Sequence, residues 1–152
     1  MAYCIASFLG YVMHWALHRR WTGKLNRSHM AHHIELYPPK DLMSDSYRSA
    51  GHMSTVWTFV MAFIPLIIIP VIFACVGVLS LLNAISVIAA MIIVGILNDV
   101  IHDSYHVNNH WLRKFPGYAK AQHLHFVHHR RMKKNMGIYE FNWDRMFGTY
   151  RK

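Results

Sequence analysis

The chain has 152 residues, of which 54% are hydrophobic, and a formal net charge of +9. Its length is that of a single domain. All sixteen Lys and Arg lie outside residues 49–112, a stretch whose only formally charged side chains are Asp99 and Asp103. So long a stretch without a cation argues against a soluble globular protein and indicates a membrane protein. Membrane topology then accounts for the basic segments, which argues against nucleic-acid binding.

Three apolar segments are predicted to be helices, at about 1–17, 53–78 and 84–101. The first is close to the lower limit of length for a membrane span and could equally be a half-span. The second contains Pro65 and Pro70, which should kink it, as membrane helices tolerate. The third follows a short uncharged turn and leads directly into His102.

The basic segments flank the two longer apolar helices, which predicts the topology. Positive charge is retained on the cytoplasmic side of membrane proteins, so both basic segments should lie there. We therefore expect an all-α integral membrane protein of one domain, residues 1–152. It should have two to three transmembrane or half-spanning helices and a cap, built from 14–33 and 102–150, on the cytoplasmic face.

Ten of the thirteen histidines form two copies of one spaced pattern, H-x-x-x-H followed by H-x-x-H-H. Residues spaced three or four apart share one helical face, so each motif can aim its imidazoles at one point. Neutral imidazole binds iron, zinc, copper and nickel well. Two copies of five suggest two metal ions, with these ligands: His14, His18, His29, His32, His33, His102, His106, His125, His128 and His129.

Other polar residues near the motifs are weaker candidates. Asp99 lies three residues before His102 and is the preferred partner to orient a ligand, although a solvated helix-end carboxylate is almost as good an interpretation. Asp103 should point elsewhere on the helix, and Glu35 could orient His33. His110 continues the face of the third motif and could be an extra ligand. For His110, as for His52 and His123, a peripheral role is favoured.

The motifs together resemble the fatty acid hydroxylase / sterol desaturase superfamily of integral-membrane diiron enzymes. They are HWALH (14–18), HMAHH (29–33), HDSYH (102–106) and HFVHH (125–129), in the order found in that superfamily. The tail adds NMG (135–137) and WDRMFGTY (143–150). Met136 stands where the superfamily usually has an aromatic residue. The resemblance covers the chain from about His14 to Tyr150.

This resemblance implies an O2-dependent oxidoreductase that hydroxylates or desaturates an unactivated C–H bond of a lipid. Two iron ions held by the ten histidines would be its cofactors, and zinc could replace them in a purified sample. Two electrons would come from a separate donor of cytochrome b5, ferredoxin or reductase type. The membrane would be the endoplasmic reticulum in a eukaryote or the inner membrane in a bacterium.

Two non-enzymatic alternatives compete with the oxidase. A membrane metal carrier would place ionisable ligands at mid-membrane, whereas these histidines flank the apolar helices. A structural zinc site needs only four ligands, fewer than the ten present. Both comparisons favour the oxidase. The lipid substrate itself is not specified by any motif.

Overall fold

The computed structural model describes residues 1–49 and 58–152, in which every regular element is helical. Helix α1 spans Ala2–Leu17 and is followed by a 3-10 turn at Arg20–Thr22. Helix α2, Lys24–Ala31, runs directly into a π-helix at His32–Leu36. Pro38 and Pro39 follow, as expected, because proline cannot continue a helix.

The second apolar segment is described from Thr58 onward, and its predicted start at 53–57 lies outside the described residues, as does His52. Helix α3, Thr58–Phe63, passes through a 3-10 turn at Ile64–Ile67 into α4, Ile68–Cys75. Pro65 lies at the start of the 3-10 turn. Since proline lacks an N–H and crowds the preceding turn, it accounts for the predicted break.

Helix α5, Leu81–Tyr105, is longer than predicted at both ends and carries His102 within its last turn. The Ser80 hydroxyl caps it by accepting from the Asn83 N–H at 3.3 Å. The polar part of the chain then forms a 3-10 turn at Trp111–Lys114, helix α6 at Tyr118–Arg130 and helix α7 at Asn142–Met146.

Two helical segments are long and apolar enough to cross a membrane. They are Thr58–Cys75 and Leu81–Tyr105, with mean hydropathies of 2.6 and 2.4. Helix α1, at 16 residues, is a shorter apolar helix. The side chains that these helices leave exposed are mainly large and aliphatic, as a lipid-facing surface requires: Ile68, Ile69, Ile72, Phe73, Leu81, Leu82, Ile85 and Ile93.

Two apolar clusters hold the helices together. One joins α1, α3 and α5 through Ala6, Phe63, Val87, Met91 and Val94. Close packing here depends on Gly95, where a Cβ atom would meet the Val60 Cα at 3.2 Å. The other cluster joins the end of α5 to α6 and the tail, through residues that include Tyr105, Tyr118, Leu124, Ile138 and Phe141.

Candidate metal centre

The fold brings the ten predicted histidines together in two adjoining groups of five. One ring nitrogen from each member lies within 4.8 Å of those of the other four. Nine of the ten side chains are buried and His18 is half-buried. We call them the α1 group (His14, His18, His29, His33 and His128) and the α5 group (His32, His102, His106, His125 and His129).

The two groups do not coincide with the two sequence copies, because the copies exchange one histidine each. Residues four apart on a helix stay together: His29 with His33, and His125 with His129. The middle histidine of each H-x-x-H-H belongs to the other group, so that His32 joins the α5 group and His128 joins the α1 group. Each group therefore combines four histidines of one sequence copy with one histidine of the other.

The helices explain how this division is made. Helix α1 supplies two ligands on one face, α5 supplies His102, and His106 follows as the residue that caps α5. At His32 the chain leaves α-helical hydrogen bonding for the π-helix. A π turn is wider than an α turn and is frequently found at functional sites. Here it lies where consecutive ligands, His32 and His33, must serve different groups.

Backbone carbonyls orient four of the rings. Nδ1 hydrogen-bonds to the carbonyl oxygen of another segment at 2.6 to 2.9 Å in these pairs: His14 with Met136, His106 with Leu42, His128 with Lys134 and His129 with Tyr37. A carbonyl only accepts, so Nδ1 must carry the hydrogen. In a neutral ring Nε2 then presents a lone pair, as a metal ligand must.

The Nε2 atoms are spaced as the corners of a coordination polyhedron. Neighbouring pairs are 3.0 and 3.1 Å apart in the α1 group, and 2.9 to 3.2 Å apart in the α5 group. At a nitrogen–metal distance of about 2.1 Å, ligands at right angles are about 3.0 Å apart and tetrahedral ligands about 3.4 Å apart. The observed spacing matches ligands near right angles.

Buried nitrogens without a hydrogen-bond partner further support a metal. Among the described residues they include Nε2 of His14 in the α1 group and Nε2 of His102 in the α5 group. Lone pairs brought together in a dry site repel one another unless a cation lies between them. The donor set, five imidazoles in each group, fits a divalent ion such as iron.

The lowered pKa values of these histidines keep their rings neutral at neutral pH. Burial lowers the pKa of His18 to about 4 and that of His129 to about 3. Burial, and then repulsion from neighbouring imidazoles, also holds the pKa of His29, His33 and His125 well below the ordinary value. At neutral pH the nitrogens are therefore free of a competing proton.

The family comparison agrees with this geometry. The sequence model of the family described as fatty acid hydroxylase matches residues 1–149. The chain belongs to the fatty acid hydroxylase family. No curated protein and no solved structure matches it. The resemblance drawn from the motifs is confirmed, and membership of this family implies an oxidoreductase.

The structure differs from the sequence analysis in the contacts of two aspartates. Asp99 does not reach a histidine, since its carboxylate accepts from the backbone N–H groups of Phe59 and Val60 and so caps α3. Asp103, expected to point away, instead lies 3.2 Å from His102 Nδ1. Glu35 is exposed, and Nδ1 of His33 has no partner among the described residues.

The two described histidines outside the repeated pattern, His110 and His123, are also outside the two groups. His110 caps the 3-10 turn at Trp111–Lys114, its Nδ1 accepting from the Leu112 N–H at 3.3 Å. His123 is exposed on α6. Both therefore have the peripheral places that were favoured for them.

The C-terminal tail contains residues whose roles the sequence did not reveal. Asp144 is fully buried and accepts from the N–H groups of Met136 and Gly137 and from the Thr149 hydroxyl, at 2.6 to 2.7 Å. It thereby fixes the Met136 carbonyl that orients His14. A Cβ atom at residue 137 would clash with the backbone oxygen of Glu140, which explains the glycine. The WDR motif was the only sequence signal for this role.

Proposed function

We propose that this fatty acid hydroxylase is a membrane-bound diiron oxygenase. It would hydroxylate, or desaturate, an unactivated C–H bond of a lipid by using O2 and two external electrons. The observation that carries the proposal is the pair of adjoining five-histidine groups at the ends of the apolar helices. Two iron ions would be held by the ten histidines, one in each group.

The residues of the chain would orient the metal ligands and exclude water from the metal centre. Iron supplies the redox chemistry with O2 that side chains lack. The carbonyls of Met136, Leu42, Lys134 and Tyr37 keep the ligating rings in one tautomer. Burial excludes water, which protects a reactive centre from side reactions. Because α1 and α5 carry ligands at the ends of apolar helices, a lipid can reach the centre without leaving the bilayer.

The electrons would come from a separate protein of cytochrome b5, ferredoxin or reductase type. Directly after the ligands His128 and His129, the chain exposes Arg130, Arg131 and Lys133. A positive surface so close to the centre suits an acidic electron donor. We also propose, from the distribution of cations, that this face of the protein is cytoplasmic.

The test is comparative mass spectrometry of lipids from cells that express the chain or its His128→Ala variant. A lipid that gains one oxygen or loses two hydrogens, with the intact chain only, is the expected result. His123→Ala is the matched control, because His123 lies on the same helix but is exposed. Loss of metal with unchanged membrane insertion should accompany His128→Ala.

The opposite outcomes are equally clear. Turnover retained by His128→Ala would reject the ligand assignment. Bound metal without any oxidised lipid, in cells that supply iron and reductant, would favour the alternative, a non-enzymatic membrane metal-binding protein.

A further inference from the structure

A buried asparagine lies between the metal centre and an apolar groove. The groove, of about 450 Å³, runs between α1, α4 and α5, and its walls include Ile5, Leu9, Leu66, Phe73, Val87 and Met91. A smaller cavity of about 20 Å³ is lined by Gly10, Val94 and Asn98, among others. Both cavities are lined by α1 and α5, but α4 completes the groove and the tail, residues 136–143, completes the small cavity.

The order of residues places the small cavity between the groove and the histidines. Along α1, the groove is lined by Ala2, Ile5 and Leu9 and the small cavity by Ser7, Gly10 and Tyr11, and the chain then reaches His14. Along α5 it passes from Met91 to Asn98 and then to His102. These three α5 residues are spaced seven and four apart and thus share one helical face. Along this face of α5, the groove, the small cavity and the metal centre therefore follow one another in that order.

The Asn98 side chain has no hydrogen-bond partner among the described residues, although only 5% of it is exposed. A buried amide without a partner is costly, and within a membrane helix such a residue is expected to have a functional role. Its Nδ2 would lie 2.9 Å from a Cβ atom at Gly10, so the glycine makes room for the amide. The adjoining 20 Å³ is enough for about one oxygen-sized group.

We propose that Asn98 binds the polar oxygen of the substrate, a hydroxyl or a carbonyl, while the hydrocarbon tail lies in the groove. An amide both donates and accepts, so it suits either oxygen. Asn98 precedes His102 by one turn, about 6 Å along the axis. The carbons nearest the metal centre are then those close to the polar end of the lipid. This inference rests on the proposed oxygenase function and narrows its substrate to a single-chain lipid oxidised near its oxygen-bearing end.

The first test measures binding rather than turnover. The full chain, loaded with zinc, is titrated with tritiated 1-hexadecanol in detergent, and hexadecane is used as a competitor. Asn98→Leu should weaken hexadecanol binding about three- to tenfold, the effect of one lost hydrogen bond, with hexadecane competition unchanged. Asn83→Leu, the same substitution at the other end of the groove, should affect alcohol and alkane alike.

The second test locates the oxidised carbon in the lipid products. In the intact chain it should lie within a few bonds of the oxygen, and in Asn98→Leu the products should spread along the tail. Unchanged metal content in Asn98→Leu shows that the variant is folded. Equal binding of alcohol and alkane by the intact chain would overturn the proposal. So would an alcohol preference that survives Asn98→Leu, which would mean that Asn98 holds only a water molecule.

Failure of the oxygenase proposal is distinguishable from failure of this one. If the intact chain makes no oxidised lipid, the oxygenase proposal fails, whereas the binding comparison still decides whether Asn98 recognises a lipid oxygen.

Discussion

The two histidine groups each contain five imidazole ligands but differ in the residues that surround them. In the α5 group all five side chains are buried, and four have an oriented Nδ1, through the partners Tyr47, Asp103, Leu42 and Tyr37. In the α1 group His18 is half-buried, and in the structure as described only His14 and His128 have an Nδ1 partner. The two groups therefore differ in ligand burial and orientation although they have the same number of ligands.

The difference in ligand orientation indicates that the two groups should bind metal with different strength. Ligands held by outer hydrogen bonds lose less freedom when they bind metal, and removing such bonds weakens metal binding about 10- to 100-fold in known sites. We expect the α5 group to be the rigid, tightly binding site. The α1 group, with its less constrained rings, should exchange metal first.

The largest expected effect comes from removing a ligand of the rigid group. His106 is fully buried, bonds to the Leu42 carbonyl and stacks on Tyr37 with ring centroids 4.1 Å apart. His106→Ala should cost about 3 kcal/mol or more in stability, seen as a large fall in Tm, because it leaves a cavity and an unpaired carbonyl. His18→Ala should remain folded and release metal from the α1 group alone, measured by elemental analysis. An equal fall in Tm for the two variants would contradict the comparison.

A second variant disturbs the α1 group through a residue that supports a ligand but is not itself a ligand. Asp144→Ala removes the acceptor for three donors, two of them on the segment that orients His14. We expect a loss of about 3 kcal/mol in stability and selective release of the α1-group metal. Asp45→Ala is the control, since Asp45 is exposed and, among the described residues, accepts only from the Asn108 side chain. Release of both metals together would show that the tail supports both sites alike.

Acidification should release metal from the α1 group before the α5 group. Burial lowers the histidine pKa in the folded chain, so the unfolded chain binds more protons below about pH 6.5. Stability is therefore complete above that pH and falls as the pH decreases, until the folded pKa is reached, about 4 for His18 and about 3 for His129. Metal content followed against pH should decrease in two steps, the α1 group first. A single step would reject the ordering.

The smallest effect is expected for His110→Ala, because His110 lies outside both groups. It removes a cap of a single 3-10 turn and should cost no more than about 1 kcal/mol. Metal content and lipid oxidation should be unchanged. A reduced metal content would restore His110 as a ligand and make the α5 group larger than the geometry shows.

Sequence reasoning reached the helices and the ten clustered histidines because these depend on spacing and apolar runs. It missed the exchange of His32 and His128, which depends on the direction of each ring once two helices face each other. It also missed the orienting carbonyls, since every residue has one and none is marked in a sequence. Asp99 shows the same limit: its spacing from His102 was suitable, but the start of α3 lay closer.

The exchange of histidines has a consequence for how the chain assembles. His18 and His128 are 110 residues apart, and His32 and His129 are 97 apart, yet each pair belongs to one group. Each ion would therefore act as a cross-link that closes a loop of about 100 residues, and one such closure stabilises a chain by about 4–5 kcal/mol in the chain-entropy estimate. Because the two loops interlock, neither half of the chain can complete a site alone, and metal insertion becomes the step that locks the termini together.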